Sequence, residues 1–194
     1  MDGKKGVSRR SFLDVSGRLV LGGAAAGLAC AAAEGAARKP KARPDATCGL
    51  YCGACANLLR SEQARKPSDV TCLGCKSAKP PKWGSKCKIK ACATKRGLEF
   101  CAQCKDYPCE KLHDFHYCGR DYRLLGAHNC EIIRSKGPAA WLKERKKRWT
   151  CPKCGTRFSW KDETCKKCGA KLFTAKQEAD ALRKKAGKKP AAGS

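Results

Sequence analysis

Cys151-Pro152-Lys153-Cys154-Gly155 is followed by Cys165-Lys166-Lys167-Cys168-Gly169, with ten residues between Cys154 and Cys165. A C-x2-C turn aims two sulfurs at one point, and a glycine behind each second cysteine tolerates the tight backbone that lets amides donate to thiolates. Two such knuckles complete a tetrahedron of soft ligands, a donor set that favours zinc over iron. Four thiolates saturate the ion and leave no position for water or substrate, so the set reads as structural rather than catalytic. The intervening residues 156–164 include β-branched and aromatic side chains and predict a short zinc-ribbon or rubredoxin-like β-hairpin.

Upstream, cysteine is denser and less ordered: Cys48, Cys52, Cys55, Cys72, Cys75, Cys87, Cys92, Cys101, Cys104 and Cys109, with Cys118 and Cys130 trailing. Twelve thiols would fill three four-coordinate sites, but spacing does not say which of them share a metal. His113, His116 and His128 are possible substitutes, although abundant cysteine makes nitrogen ligation unnecessary and the ordinary reading is surface or packing. The spacing at Cys48, Cys52 and Cys55 matches the three-cysteine motif of radical S-adenosylmethionine enzymes, yet the chain lacks the length and periodicity of their barrel. Around Cys101, Cys104 and Cys109 the proline precedes the last cysteine, whereas in bacterial ferredoxin spacing it follows. An iron–sulfur cluster is therefore the alternative cofactor and zinc the favoured one. No Ser/His/Asp set, paired acids, phosphate loop or nucleotide fingerprint is present, so no catalytic or organic-cofactor residue is assigned. A non-catalytic metal-binding module is favoured over an enzyme; an electron carrier and a thiol–disulfide or metal-handling protein are the alternatives.

A chain of 194 residues with this composition has no large oily core, and metals or disulfides must supply what apolar burial does not. The fold class expected is a small, irregular, metal-stabilised α+β chain: a cysteine-rich knuckle domain with short helices, plus the C-terminal zinc-ribbon β-hairpin. Residues 38–47 are Pro- and Lys-rich and read as a linker; 48–137 form the cysteine-rich domain, with one helix expected over 56–66. Apolar residues recur at helical spacing over 121–137, where Asp121 suits the N-terminus and Gly137 the stop. Pro138 suits the first turn of a connecting helix, 138–148, that would bury Trp141 and Leu142. The ribbon occupies 149–173, and 174–194 reads as a basic disordered tail after a frayed helix.

Residues 1–37 read as a targeting segment. Ser8-Arg9-Arg10-Ser11-Phe12-Leu13 precedes a Gly/Ala-rich apolar stretch at 19–33, too short to span a bilayer. This pattern resembles a twin-arginine signal peptide, with Ala31 and Ala33 or Gly35 and Ala37 at the cleavage site. It implies the twin-arginine translocase as a partner, a periplasmic or other extracytoplasmic location, and no transmembrane span in the mature chain. Gly27 stands where a lipoprotein signal needs an apolar residue, which disfavours lipid anchoring at Cys30. Extracytoplasmic cysteines usually pair as disulfides. The twin-arginine route exports folded proteins, however, so thiolates could be metallated before leaving the reducing cytoplasm.

The 43 Lys/Arg against 17 Asp/Glu give a net charge of +26, falling to +24 once the first 37 residues, with five basic and three acidic groups, are removed. Each four-thiolate zinc site carries −2 and lowers it further. An anionic macromolecule or surface could meet the basic runs at 143–148 and 183–189, but no stacking aromatic array or helix-turn-helix pattern accompanies them.

Taken in order, CGLYCGAC at 48–55, the C-x2-C at 72, CKIKAC at 87–92, FCAQCKDYPCEKL at 100–112 and the ribbon with its preceding helix at 137–169 resemble the cysteine-rich domain-of-unknown-function family 3795. The resemblance spans residues 48 to about 172. It implies a small metal-binding protein without an established reaction, whose ligands would be the ten cysteines from Cys48 to Cys109 and the ribbon set. The signal segment and the basic tail depart from the family pattern.

Overall fold

The computed structural model describes residues 40–187; Arg9, Arg10, Cys30, the remainder of the targeting segment and residues 188–194 lie outside the described residues. Five α-helices appear among them: α1 Ala56–Gln63, α2 Lys88–Lys95, α3 Glu110–His116, α4 Asp121–Arg148 and α5 Ala175–Gly187. Short 3-10 turns at Cys52–Ala54, Pro67–Asp69, Lys82–Lys86 and Cys101–Gln103 join them.

The long helix α4 is the spine. Leu125, Asn129 and Ile132 recur at four- and three-residue steps and, with Cys130 and Ile133 beside them, are buried along its first half. Gly137 then adopts φ +83°, a conformation that side chains with a Cβ disfavour, and the helix breaks there. Pro138 restarts it without needing an amide donor. The second half carries Trp141 into the centre, fully buried, with Tyr51 and Phe100 edge-on at ring-centroid distances of 6.3 and 5.6 Å. Truncating an indole buried in this way typically costs about 3–5 kcal/mol.

Three segments differ from the sequence expectation. Residues 43–47, read as linker, are built in: the Arg43 amide donates to the Leu73 carbonyl (2.7 Å), and Cys52 to Pro44 (2.6 Å). Asp45, only 4% exposed at its side chain, receives Arg43 (3.1 Å) and Lys76 (2.9 Å). The expected disordered tail instead forms α5 as far as Gly187, because Ala175 and Ala179 bury against the core and Glu178 binds both Arg145 (2.9 Å) and Arg148 (2.8 Å) of α4. Finally, the expected zinc-ribbon β-hairpin is absent: no β-strand occurs among the described residues, only isolated bridges, two of which lie here, Thr150 with Arg157 and Thr164 with Lys171. The physical reason is that the intervening backbone bonds elsewhere. Past the Thr150–Arg157 bridge the Trp160 amide donates to Ala54 and the Ala175 amide to Trp160, while Ser159 and Asp162 close a local turn.

Candidate metal centre

Each C-x2-C knuckle folds on itself in the same way. In the first, the Cys151 amide donates to the Thr156 carbonyl (2.8 Å) and the Gly155 amide to the Cys151 carbonyl (2.9 Å). In the second, Cys165 donates to Ala170 and Gly169 to Cys165, both at 2.8 Å. Gly155 and Gly169 take φ +71° and +69°, the left-handed conformation that such a turn needs and that glycine adopts without strain. This frees the next amide, and Thr156 and Ala170 each hydrogen-bond the second sulfur of their knuckle, Cys154 and Cys168.

The two knuckles bring Cys151, Cys154, Cys165 and Cys168 together with all four sulfurs within 4.8 Å of one another. Sγ of Cys151 lies 3.7 Å from that of Cys168, and Cys154 lies 3.5 Å from Cys165. A tetrahedron of metal–sulfur bonds of about 2.3 Å holds its sulfurs about 3.8 Å apart, so one ion fits, whereas a disulfide would require contact at about 2 Å. Cys151 and Cys165 are buried and the other two half-buried. The Thr156 hydroxyl, 3.3 Å from Cys154 Sγ, together with its amide, holds that thiol below its ordinary range. Cys168 rises instead: the Ala170 amide lowers it, but burial and the crowding of Cys154, Cys165 and Cys151 prevail. Four sulfurs this close ionise together only when a cation takes up their charge.

The centre is anchored to the spine from both sides. Trp160 stacks on Tyr122 of α4 at 4.5 Å and 3° between ring planes, and Trp149 packs on Phe158 at 5.4 Å. Arg157 pairs with Glu62 of α1 at 2.5 Å. Spacing had isolated the four cysteines but not Thr156, Ala170 or Trp160. No sequence signal marks a backbone amide or a stacking partner more than thirty residues away.

The upstream cysteines fall into two neighbourhoods. Burial pushes the Cys52 thiol well up, and the sulfurs it feels are Cys48, Cys75, Cys55 and Cys72. Burial likewise pushes Cys101 up to about 12, and its neighbours are Cys109, Cys92, Cys104 and Cys87. Cys48 stands between the two sets, sensing Cys75, Cys101 and Cys87. Cys130 is buried under Cys48, its Sγ 3.6 Å from the Cys48 carbonyl, and Cys118 is exposed beside Arg123. Among the described residues no upstream trio closes to the 4.8 Å spacing of the C-terminal set. No histidine joins such a group either. His116 is buried with Nε2 at 2.8 Å from the Cys48 carbonyl, and His113 stacks on Tyr117. Within the basic run 143–148, Arg145 and Arg148 turn inward to Glu178, while Lys143, Lys146 and Lys147 face solvent. No helix among the described residues is long and apolar enough to cross a membrane.

Fold and site thus define a small, mostly helical, cysteine-rich protein with a four-cysteine group able to hold a metal ion. Residues 45–114 match the profile of a family described as Protein of unknown function (DUF3795), so the upstream cysteine-rich part is similar to that family, while the C-terminal knuckle pair lies beyond the match. Neither the curated proteins nor the solved structures yielded a match.

Proposed function

We propose that this chain is an exported metal protein in which Cys151, Cys154, Cys165 and Cys168 hold one structural zinc ion, and that it acts as a binding module rather than an enzyme. The observation that carries the reading is the convergence of four sulfurs at the separations one tetrahedral ion requires. Zinc suits the all-thiolate set, and a closed four-coordinate site leaves no Lewis-acid position for catalysis. The upstream cysteines are read as ligands of further metals rather than as disulfides, since C-x2-C pairs make strained disulfides. Export by the twin-arginine route, suggested by Arg9 and Arg10, is compatible with metals loaded before translocation. Elemental analysis with thiol titration tests the C-terminal site. Native protein should carry at least one zinc, Cys151→Ser should carry one fewer, and zinc removal should expose four titratable thiols. Unchanged zinc in Cys151→Ser would sink the assignment.

A further inference from the structure

Cys92, Cys101, Cys104 and Cys109 come from three different elements, yet all four line one cavity. Cys92 lies on α2, Cys101 begins the 3-10 turn Cys101–Gln103 and Cys104 follows it, and Cys109 precedes α3. The Cys104 amide donates to the Cys101 carbonyl at 3.0 Å, which points both sulfurs of this C-x2-C to the same side. Cys87, on the opposite end of α2, does not line the cavity. Ile89, Ala93, Leu98 and Leu112 make the rest of the wall largely apolar, with Arg96, Asp106, Tyr107 and Lys111 as its polar members. Arg96 donates from Nη1 to Cys104 Sγ at 3.2 Å and also pairs with Asp106.

The contrast with the C-terminal knuckles gives the size of what belongs there. In the same molecule one four-cysteine set closes to single-ion spacing, whereas no three of these four sulfurs lie within 4.8 Å of one another. They line a cavity of about 30 Å³ instead. A single water needs only about 10–15 Å³ on this kind of measure, and a lone tetrahedral ion would leave no void between its ligands. We propose that Cys92, Cys101, Cys104 and Cys109 ligate an iron–sulfur cluster, a group whose several irons and sulfides hold four thiolates further apart than one ion can. A largely apolar wall with an N–H···S donor is the environment in which such clusters are retained and their potentials set. Arg96 would offset part of the negative charge of the four-thiolate cluster. The inference rests on the reading of the upstream cysteines as metal ligands, and it assigns four of them to one centre.

The test uses the full chain, purified without oxygen from cells supplied with iron. Iron and acid-labile sulfide should be present in equal amounts, with visible charge-transfer absorption, alongside the C-terminal zinc. Cys104→Ser and Cys109→Ser should each lose the iron and sulfide but keep that zinc. Cys151→Ser should do the reverse, and Cys118→Ser should keep both. Arg96→Gln leaves every cysteine in place and should retain the cluster with a lowered reduction potential; an unaltered potential would overturn the placement, as would iron lost in Cys52→Ser but kept in Cys109→Ser. A colourless protein whose additional zinc disappears in Cys109→Ser overturns the cluster while leaving the metal reading intact. Metal-free protein with no titratable upstream thiols overturns both.

Discussion

At the scale of single residues, a four-cysteine centre depends on more than its sulfurs. Cys154 Sγ meets both the hydroxyl, at 3.3 Å, and the amide of Thr156, whereas the equivalent position in the second knuckle, Ala170, offers an amide alone. The two halves are therefore alike in backbone and unlike in side-chain support. Partners of this kind, one step removed from the metal, typically contribute about 10–100-fold in affinity. Thr156→Val should keep the zinc stoichiometry and weaken retention by about that factor in competition with a chelator, and Thr156→Ser should restore it. Equal retention in Thr156→Val and the parent would show that the amide suffices.

At the scale of elements, the decisive contact is α5 on α4. The helix is only 13 residues long and has one large apolar residue, Leu182, so its intrinsic tendency to stay folded alone is small. Glu178 answers two arginines whose side chains are only 12% and 17% exposed, and Arg183 reaches Asp121 at 2.9 Å. Leaving two partly buried guanidinium groups without their acid costs about 1–3 kcal/mol. Glu178→Gln should accordingly speed amide hydrogen exchange through 175–187 while leaving exchange in α1 and the zinc content unchanged. Protection equal to the parent would mean that Ala175 and Ala179 hold the helix unaided.

At the scale of the whole molecule, one core joins parts that the sequence divides. Trp141, Trp149, Phe158 and Leu172 belong to a single buried cluster with Phe100 and Leu112, so the knuckle pair is seated on the upstream part rather than strung behind it. Metal loading and folding are thus expected to be coupled, which suits a route that carries folded cargo. Replacing Arg9 and Arg10 together by Lys should trap full-length precursor in the cytoplasm. A shortened form appearing outside the inner membrane at the parental level would remove the twin-arginine route from the proposal.

The sequence alone determined what depends on short-range geometry. The spacing of Cys151, Cys154, Cys165 and Cys168 grouped four ligands, because two C-x2-C turns leave their sulfurs little choice of direction, and the sulfurs converge. Gly137 followed by Pro138 marked the break in α4, because φ and the missing amide are properties of those residues themselves. What lay beyond it was decided by distant partners. Residues 156–164 looked like a hairpin by composition, but at their centre Trp160 bonds to Ala54 and Ala175 instead. Residues 43–47 and 175–187 looked like solvated linker and tail, yet Lys76 and the pair Arg145 and Arg148 recruit Asp45 and Glu178 into the fold. The grouping of Cys92 with Cys101, Cys104 and Cys109 was likewise hidden. Those four cysteines line one cavity only because α2, a 3-10 turn and the entry to α3 pack side by side, and spacing along a chain carries no record of packing across it.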